Sequence, residues 1–366
     1  MRWMWLAWGV MACGGGDSEG TDPGTDTDTG DPVATIDSGS PVDTGSYTGT
    51  YTAPMRTAEE LATWGPFSVG TDELDIDGPE GLTLKAQVWY PSSAPQGDGE
   101  TYDNVLAGYA TEGLPSDCSA TRPVLVFSHG NGGVRWQSPF FTEHLASHGY
   151  VVIAVDHLYN TLFDLDWTKL DELAIRRPAD VEAAFDALPS IPTVADCVDP
   201  AAGYAVAGHS FGGYTALAVA GAEVNDPTAG GAPVFLDDPR VWATIGLAPW
   251  DGFGAITDGT AFIEVPTLIL TGRRDVTTPI LQVRGLWSPL TVEPRYLGIF
   301  ERAGHYSFSP AACILETSDG CAPDDIPIDE FTPMVNQASL AFLESVRVDP
   351  AYIDLRPEAG AELTWE

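Results

Sequence analysis

One segment, Tyr204–Ala222, constrains the fold of this chain more than any other. Tyr204-Ala205-Val206-Ala207 reads as a short buried strand, and Tyr214–Ala222 reads as a helix of small residues. Between them stands Gly208-His209-Ser210-Phe211-Gly212-Gly213. A strand passes into a helix over so few residues only when small side chains flank the turn. Such a turn holds its central serine in strained backbone with the hydroxyl raised above the sheet. With 39 glycines in the chain, the bare G-x-S-x-G spacing carries little weight. It recurs at Gly16-Asp17-Ser18-Glu19-Gly20, but no strand precedes that copy and no helix follows it. Context therefore singles out Ser210.

The rest of the chain repeats the alternation. Strand patterns lie at Leu82–Tyr90, Pro123–Phe127, Tyr150–Val155, Val241–Leu247, Val265–Leu270 and Tyr296–Phe300. Helical spacing marks Phe140–His148, Pro178–Leu188 and Phe331–Val346. Continuous apolar strands alternating with helices predict an α/β domain over residues 57–366, with a mostly parallel central sheet and helices on both faces. The stretch Leu158–Arg177, with Phe163, Leu165 and Trp167 among acids, reads as a lid or as a packed surface excursion.

The ends point to export. Arg2 followed by apolar Trp3–Met11 reads as a signal over residues 1–12, and Val10-Met11-Ala12-Cys13 resembles a bacterial lipobox, with Cys13 as the lipidation site. Residues 13–56, rich in Gly, Asp, Thr and Ser, are expected to form a disordered tether. The remaining four cysteines suggest two disulfides. Cys313–Cys321 closes the shorter loop, which leaves Cys118 with Cys197. No metal-binding motif is present, and no metal or cofactor is expected.

Charge narrows the partners. The formal net charge is −37. Residues 1–53 hold eight acids and one base, so −30 falls on the rest, from 45 acids and 15 bases. Such a surface does not neutralise a phosphate backbone, so no nucleic-acid partner is expected. It also repels anionic polymers and fatty-acid products, which points to neutral or zwitterionic substrates. Membrane contact is expected only through a lipid anchor, and the chain is expected to be a monomer.

A serine hydroxyl needs a base, and the base needs an acid to orient it. In the strand–turn–helix setting the order along the chain is Ser, acid, His. The one histidine after Ser210 is His305, in a loop just past the strand Tyr296–Phe300. Asp275, a few residues past Val265–Leu270, is the preferred acid, with Asp251 as the alternative. Two backbone amides are expected to meet the oxyanion: that of Phe211, next to the nucleophile, and that of Asn131 in the loop Ser128-His129-Gly130-Asn131-Gly132-Gly133. His209 and Trp250 are candidate substrate-binding residues, although Trp250 fits equally as a cap on the core.

On these residues the chain resembles an α/β-hydrolase of the serine-esterase kind. Gly65-Pro66-Phe67-Ser68-Val69-Gly70, Phe127–Arg135, Leu145–Val152 and Gly208–Gly213 are similar to bacterial predicted dienelactone hydrolases and plasma-type platelet-activating-factor acetylhydrolases. The likeness covers about residues 64–345. It implies hydrolysis of short-acyl lipid or small esters, with Ser210, His305, Asn131 and Phe211 in the roles above. Two departures stand out. The acetylhydrolase acid would fall near Ala248, which cannot act, and the best-known dienelactone hydrolases use a Cys where Ser210 stands. The segment Leu268–Asp275 is instead similar to cutinases and polyethylene-terephthalate hydrolases. So are Ala248-Pro249-Trp250-Asp251, where those enzymes carry a substrate-stacking Trp, and a disulfide after the catalytic His. This second likeness implies a polyester hydrolase. A non-catalytic binding protein on the same fold is the reading from another class.

Overall fold

Alternation of side chains along fully buried strands sets the architecture. The computed structural model describes residues 55–256, 258–313 and 318–366. The expected signal, Cys13 and all but the last two residues of the expected tether lie outside the described residues.

The main sheet is built from β1 (Ser68–Asp77), β2 (Thr83–Ser92), β3 (Thr111–Glu112), β4 (Val124–Ser128), β5 (Val151–Val155), β6 (Tyr204–His209), β7 (Val241–Leu247), β8 (Thr267–Gly272), β9 (Arg295–Phe300) and β10 (Leu363–Trp365). Their spatial order is β10-β9-β8-β7-β6-β4-β5-β2-β1-β3. The run from β9 to β5 is parallel throughout. β10 pairs antiparallel at one side, and β2 and β1 do so at the other. The fold class read from the sequence therefore holds.

Both sheet faces are covered. Val124 and Val126 of β4 join one core, while Leu125 and Phe127 join the other, because successive strand residues point to opposite faces. The first core takes residues of α3 (Leu170–Ala187), α4 (Phe211–Val219) and α5 (Ile280–Trp287). The second takes α1 (Ala58–Ala62), α2 (Pro139–Ser147) and α7 (Ile328–Arg347). A short turn of helix, α6 (Pro310–Cys313), precedes the second disulfide. Both disulfides form, Cys118–Cys197 and Cys313–Cys321. The described residues all fall within one compact unit.

Among the elements that differ from the sequence expectation are α3 and β1. The helix expected from Pro178 starts at Leu170 and runs through that proline. A proline favours a first turn and costs a hydrogen bond in an interior. Here Leu173 and Ala174 are buried ahead of it and Val181, Ala184 and Phe185 after it, and this apolar burial outweighs the lost bond. The excursion Leu158–Arg177 is thus half loop and half helix. β1 was invisible because Asp72, Glu73, Asp75 and Asp77 break its apolar pattern. Its pairing with β2 compensates over ten residue pairs.

Burial of ionisable groups makes the fold sensitive to acid. Desolvation holds His129, His144, His157 and His209 well below the ordinary histidine range, and holds His148 down to about 4. In the unfolded chain these groups bind protons below about 6.5. The unfolded state therefore gains more protons on acidification, and stability falls as pH drops below that value. Asp180 runs the other way, because burial pushes it up to about 7. Burial raises Glu143, Asp156 and Glu182 in the same sense, and the five histidines outnumber these four carboxyls. The melting temperature is expected to fall between pH 7 and pH 5.5, by about 1.4 kcal/mol of stability per pH unit for each net proton taken up. Thermal melts at constant ionic strength check this, and a flat Tm over that range would refute it.

Candidate active site

Five parallel strands end at one edge of the sheet, and the loops that follow β4, β6, β7, β8 and β9 carry the candidate residues, as is usual for sites in open α/β sheets. Ser210 stands between β6 and α4 with φ 58° and ψ −117°. This is a left-handed, strained conformation for a non-glycine residue. Close packing enforces it. A Cβ on Gly208 would overlap the Gly212 carbonyl, and one on Gly212 would overlap the Ser128 carbonyl at the end of β4. The backbone of Ser210 is pinned on both sides: its N–H donates to Leu247 O at 3.0 Å, and its carbonyl accepts from the Trp250 N–H at 3.0 Å. Its hydroxyl has no hydrogen-bond partner among the described residues, and the residue is partly exposed.

His305 and Asp275 meet. His305 Nδ1 lies 2.8 Å from Asp275 Oδ2, with both residues almost fully buried. That contact places the imidazole proton on Nδ1 and leaves Nε2 free to accept one. Asp275 Oδ1 also accepts the Thr278 N–H at 2.6 Å. Asp251, the alternative acid, does not contact His305, and its Oδ1 is buried without a partner among the described residues.

The loop after β4 passes directly over the serine. A Cβ on Gly130 would sit 3.3 Å from Ser210 Cβ. Within the loop, Gly130 N–H donates to Gln137 Oε1, Gly132 N–H to Asn160 O and Gly133 N–H to Gly130 O. No acceptor among the described residues takes the Asn131 N–H or the Phe211 N–H. Phe211 is the first residue of α4, where an N–H has no partner within the helix. The Asn131 side chain is tied down by Asn160 Nδ2 at 2.7 Å.

The two candidate substrate-binding residues part company. His209 is 2% exposed. Its ring is held between Gln137 Nε2 at 3.1 Å and the His305 carbonyl at 3.1 Å. It bridges the segments that carry Gln137 and His305, with both ring nitrogens engaged. Trp250 stands between the core and a cavity. It packs against the core and stands edge-on to Phe211 and Phe253, with ring centres 5.0 and 4.6 Å apart. It also lines a cavity of about 220 Å³ with Leu170, Asp171, Asn225 and Phe253.

Two residues at the site escaped the sequence. Thr278 Oγ1 lies 2.8 Å from Asp275 Oδ2 and 3.1 Å from both His305 Nδ1 and Ala248 O. Asp319 ties the acid loop to the base loop. Its Oδ1 accepts the His305 N–H at 2.9 Å, and its Oδ2 accepts from the N–H of Thr277 at 3.0 Å and the hydroxyl of Thr277 at 2.7 Å. The only available cue was its place between Cys313 and Cys321. Among the described residues no group of His, Cys, Asp or Glu has the arrangement to hold a metal ion.

Comparisons with known proteins bear on the family and the fold. Residues 107–313, more than half the chain, match the family model described as PETase: PET hydrolase-like. No curated protein matches the chain. Among solved structures, a ferulic acid esterase from Streptomyces cinnamoneus is similar at a TM-score of 0.61 and 23% identity, over 83% of this chain and 97% of that one. The protein is thus a carboxylic-ester hydrolase with the α/β-hydrolase fold, and it belongs to the PET hydrolase-like family.

Proposed function

We propose that this chain works through an acyl-enzyme, with Ser210 as nucleophile, His305 as base, Asp275 as acid and the Phe211 and Asn131 amides as oxyanion donors. The observation that carries the reading is the buried His305–Asp275 contact of 2.8 Å beside a strained serine whose hydroxyl is unengaged. Ser210 Oγ attacks the ester carbonyl while His305 Nε2 takes its proton. The carbonyl oxygen becomes an oxyanion between the two amides. The intermediate collapses, and His305 returns the proton to the leaving alcohol. Water then attacks the acyl-serine as His305 takes its proton, and His305 returns that proton to Ser210 Oγ as the acid is released.

The substrates we propose are neutral or zwitterionic, in keeping with the −30 carried by residues 54–366. Small and short-acyl lipid esters come first. A polyester is the second reading, favoured by the family match and by exposed apolar side chains around the site. Phe253 is 67% exposed beside Trp250, and Phe163 is 65% exposed one residue from Leu162, whose N–H donates to Gly133 O in the oxyanion loop. Open aromatic surface of this kind suits a polymer chain better than an enclosed pocket does.

We also propose export as a monomeric, lipid-tethered protein made of a signal over 1–12, a tether over 13–56 and a catalytic domain over 57–366. The lipobox-like Val10-Met11-Ala12-Cys13 supports this, as do two disulfides, which persist in oxidising compartments. No helix among the described residues is long and apolar enough to cross a membrane.

Purified protein is expected to hydrolyse p-nitrophenyl butyrate and to be labelled at Ser210 by a fluorophosphonate. Folded protein that resists the label would overturn the reading in favour of a non-catalytic binding protein. Release of soluble monomers from a polyester film, set beside turnover of a short-acyl phospholipid, decides between the two substrate readings.

A further inference from the structure

Beneath the oxyanion loop lies a second Ser-His-Asp chain that no substrate can reach. Ser128 Oγ is 2.9 Å from His157 Nε2, and His157 Nδ1 is 2.8 Å from Asp180 Oδ2. All three residues are fully buried. The hydrogen-bond roles follow from the partners. The His157 backbone N–H donates to His129 Nε2 at 3.0 Å, so His129 carries its proton on Nδ1 and donates to Gly130 O at 2.7 Å. Asp180 Oδ2 accepts a hydrogen bond from the His157 Nδ1–H, which leaves His157 Nε2 to accept from the Ser128 hydroxyl.

Arg177 sits at the head of this chain and is itself fully buried. Its guanidinium donates to Ser128 Oγ at 3.1 Å, to the His129 carbonyl, and to Asn160 Oδ1 at 2.8 Å. Its central carbon lies 4.3 Å from the centre of the Phe211 ring. Asn160 carries the contact onward: its Nδ2 holds Asn131 Oδ1 at 2.7 Å, and its carbonyl accepts the Gly132 N–H at 3.1 Å. One cation therefore bears on both candidate donors, on Asn131 through Asn160 and on Phe211 through its ring face.

A buried guanidinium is costly, and packing alone would be served as well by an apolar side chain of the same size. What an apolar residue lacks is the fork. Charge-assisted bonds from one rigid plane to Ser128, His129 and Asn160 fix three points around the loop at once. We propose that Arg177, anchored by the Ser128–His157–Asp180 chain, is a positioning residue that sets the Asn131 and Phe211 amides for the oxyanion. This rests on the reading of Ser210 as the nucleophile.

The test compares wild type with Arg177→Lys, which keeps a long basic side chain and loses the fork. Steady-state kinetics on p-nitrophenyl butyrate are read beside the affinity for an alkyl trifluoromethyl ketone. Ser210 adds to that ketone and leaves its oxygen as an anion between the two amides. The expected result is a kcat lower by about 10- to 100-fold with KM within about 3-fold, since a misplaced donor costs transition-state binding alone. Ketone affinity should fall by the same factor as kcat/KM. A folded Arg177→Lys that keeps wild-type ketone affinity, or that loses only KM, overturns the proposal. Should that variant not fold, Asn160→Ala keeps Arg177 with its Ser128 and His129 contacts and cuts only the link to Asn131. It is expected to show the same paired loss, and wild-type behaviour would again overturn the proposal. A wild-type chain that neither turns over the ester nor binds the ketone would overturn the parent reading and this one with it. Active wild type with unaffected variants overturns this one alone.

Discussion

Ser210→Ala is expected to lower kcat for p-nitrophenyl butyrate by about 10⁶-fold, the size of effect seen when a triad nucleophile is removed. The structure makes this a clean test, because little else changes with the hydroxyl. The residue keeps its Cβ, so the strain at φ 58° is the same in both proteins. Its backbone bonds to Leu247 and Trp250 do not involve the side chain. The hydroxyl has no partner among the described residues, so its loss leaves no buried group unpaired. The Tm is therefore expected to stay within a degree or two, as for a side-chain change that touches none of the usual destabilising mechanisms. Turnover retained by this variant would remove Ser210 from the mechanism.

How far the site could be read in the sequence depended on whether each residue's role is local. Ser210 was legible because its constraint is written within five residues: Gly208 and Gly212 stand where a side chain would collide with backbone. The parallel sheet was legible for a similar reason, since β4, β5, β6 and β8 are buried throughout and read as apolar runs. His305 needed one step more, the order of residues along the chain. Of the residues that escaped, Thr278 lies three residues from Asp275 without any motif to mark it, and the others act across long separations. Asp319 reaches back 42 residues to Thr277, and Arg177 reaches back 49 to Ser128. Nothing in the composition of their own segments marks those contacts. The burial of His209 was not legible, because its ring partners Gln137 and His305 lie 72 and 96 residues away. Pro178 misled because a local preference, a proline at a helix start, was overridden by burial on the turns before and after it.

Asp275→Asn is expected to lower kcat by about 10⁴-fold, with KM little changed and the fold intact. The carboxylate does two things for His305. It holds the proton on Nδ1 at 2.8 Å, and it stabilises the imidazolium that forms when Nε2 takes the Ser210 proton. An amide of the same shape does neither well. Oriented with its oxygen towards Nδ1, it offers a neutral acceptor in a buried site. Oriented with its nitrogen there, it forces the proton onto Nε2 and blocks the base. Thr278 bears on which orientation wins. Its N–H donates to Oδ1 at 2.6 Å, so the amide oxygen is drawn to that side and the amide nitrogen turns towards His305. The wrong tautomer is then the favoured one. Asp251→Asn is the matched control. That carboxyl makes no contact with His305, so its kcat should stay within about 3-fold of wild type, as for residues outside the reacting set. Kinetics of the two variants on p-nitrophenyl butyrate separate the candidates. Loss of activity in Asp251→Asn with Asp275→Asn unaffected would show that the buried contact seen here is not the one the reaction uses.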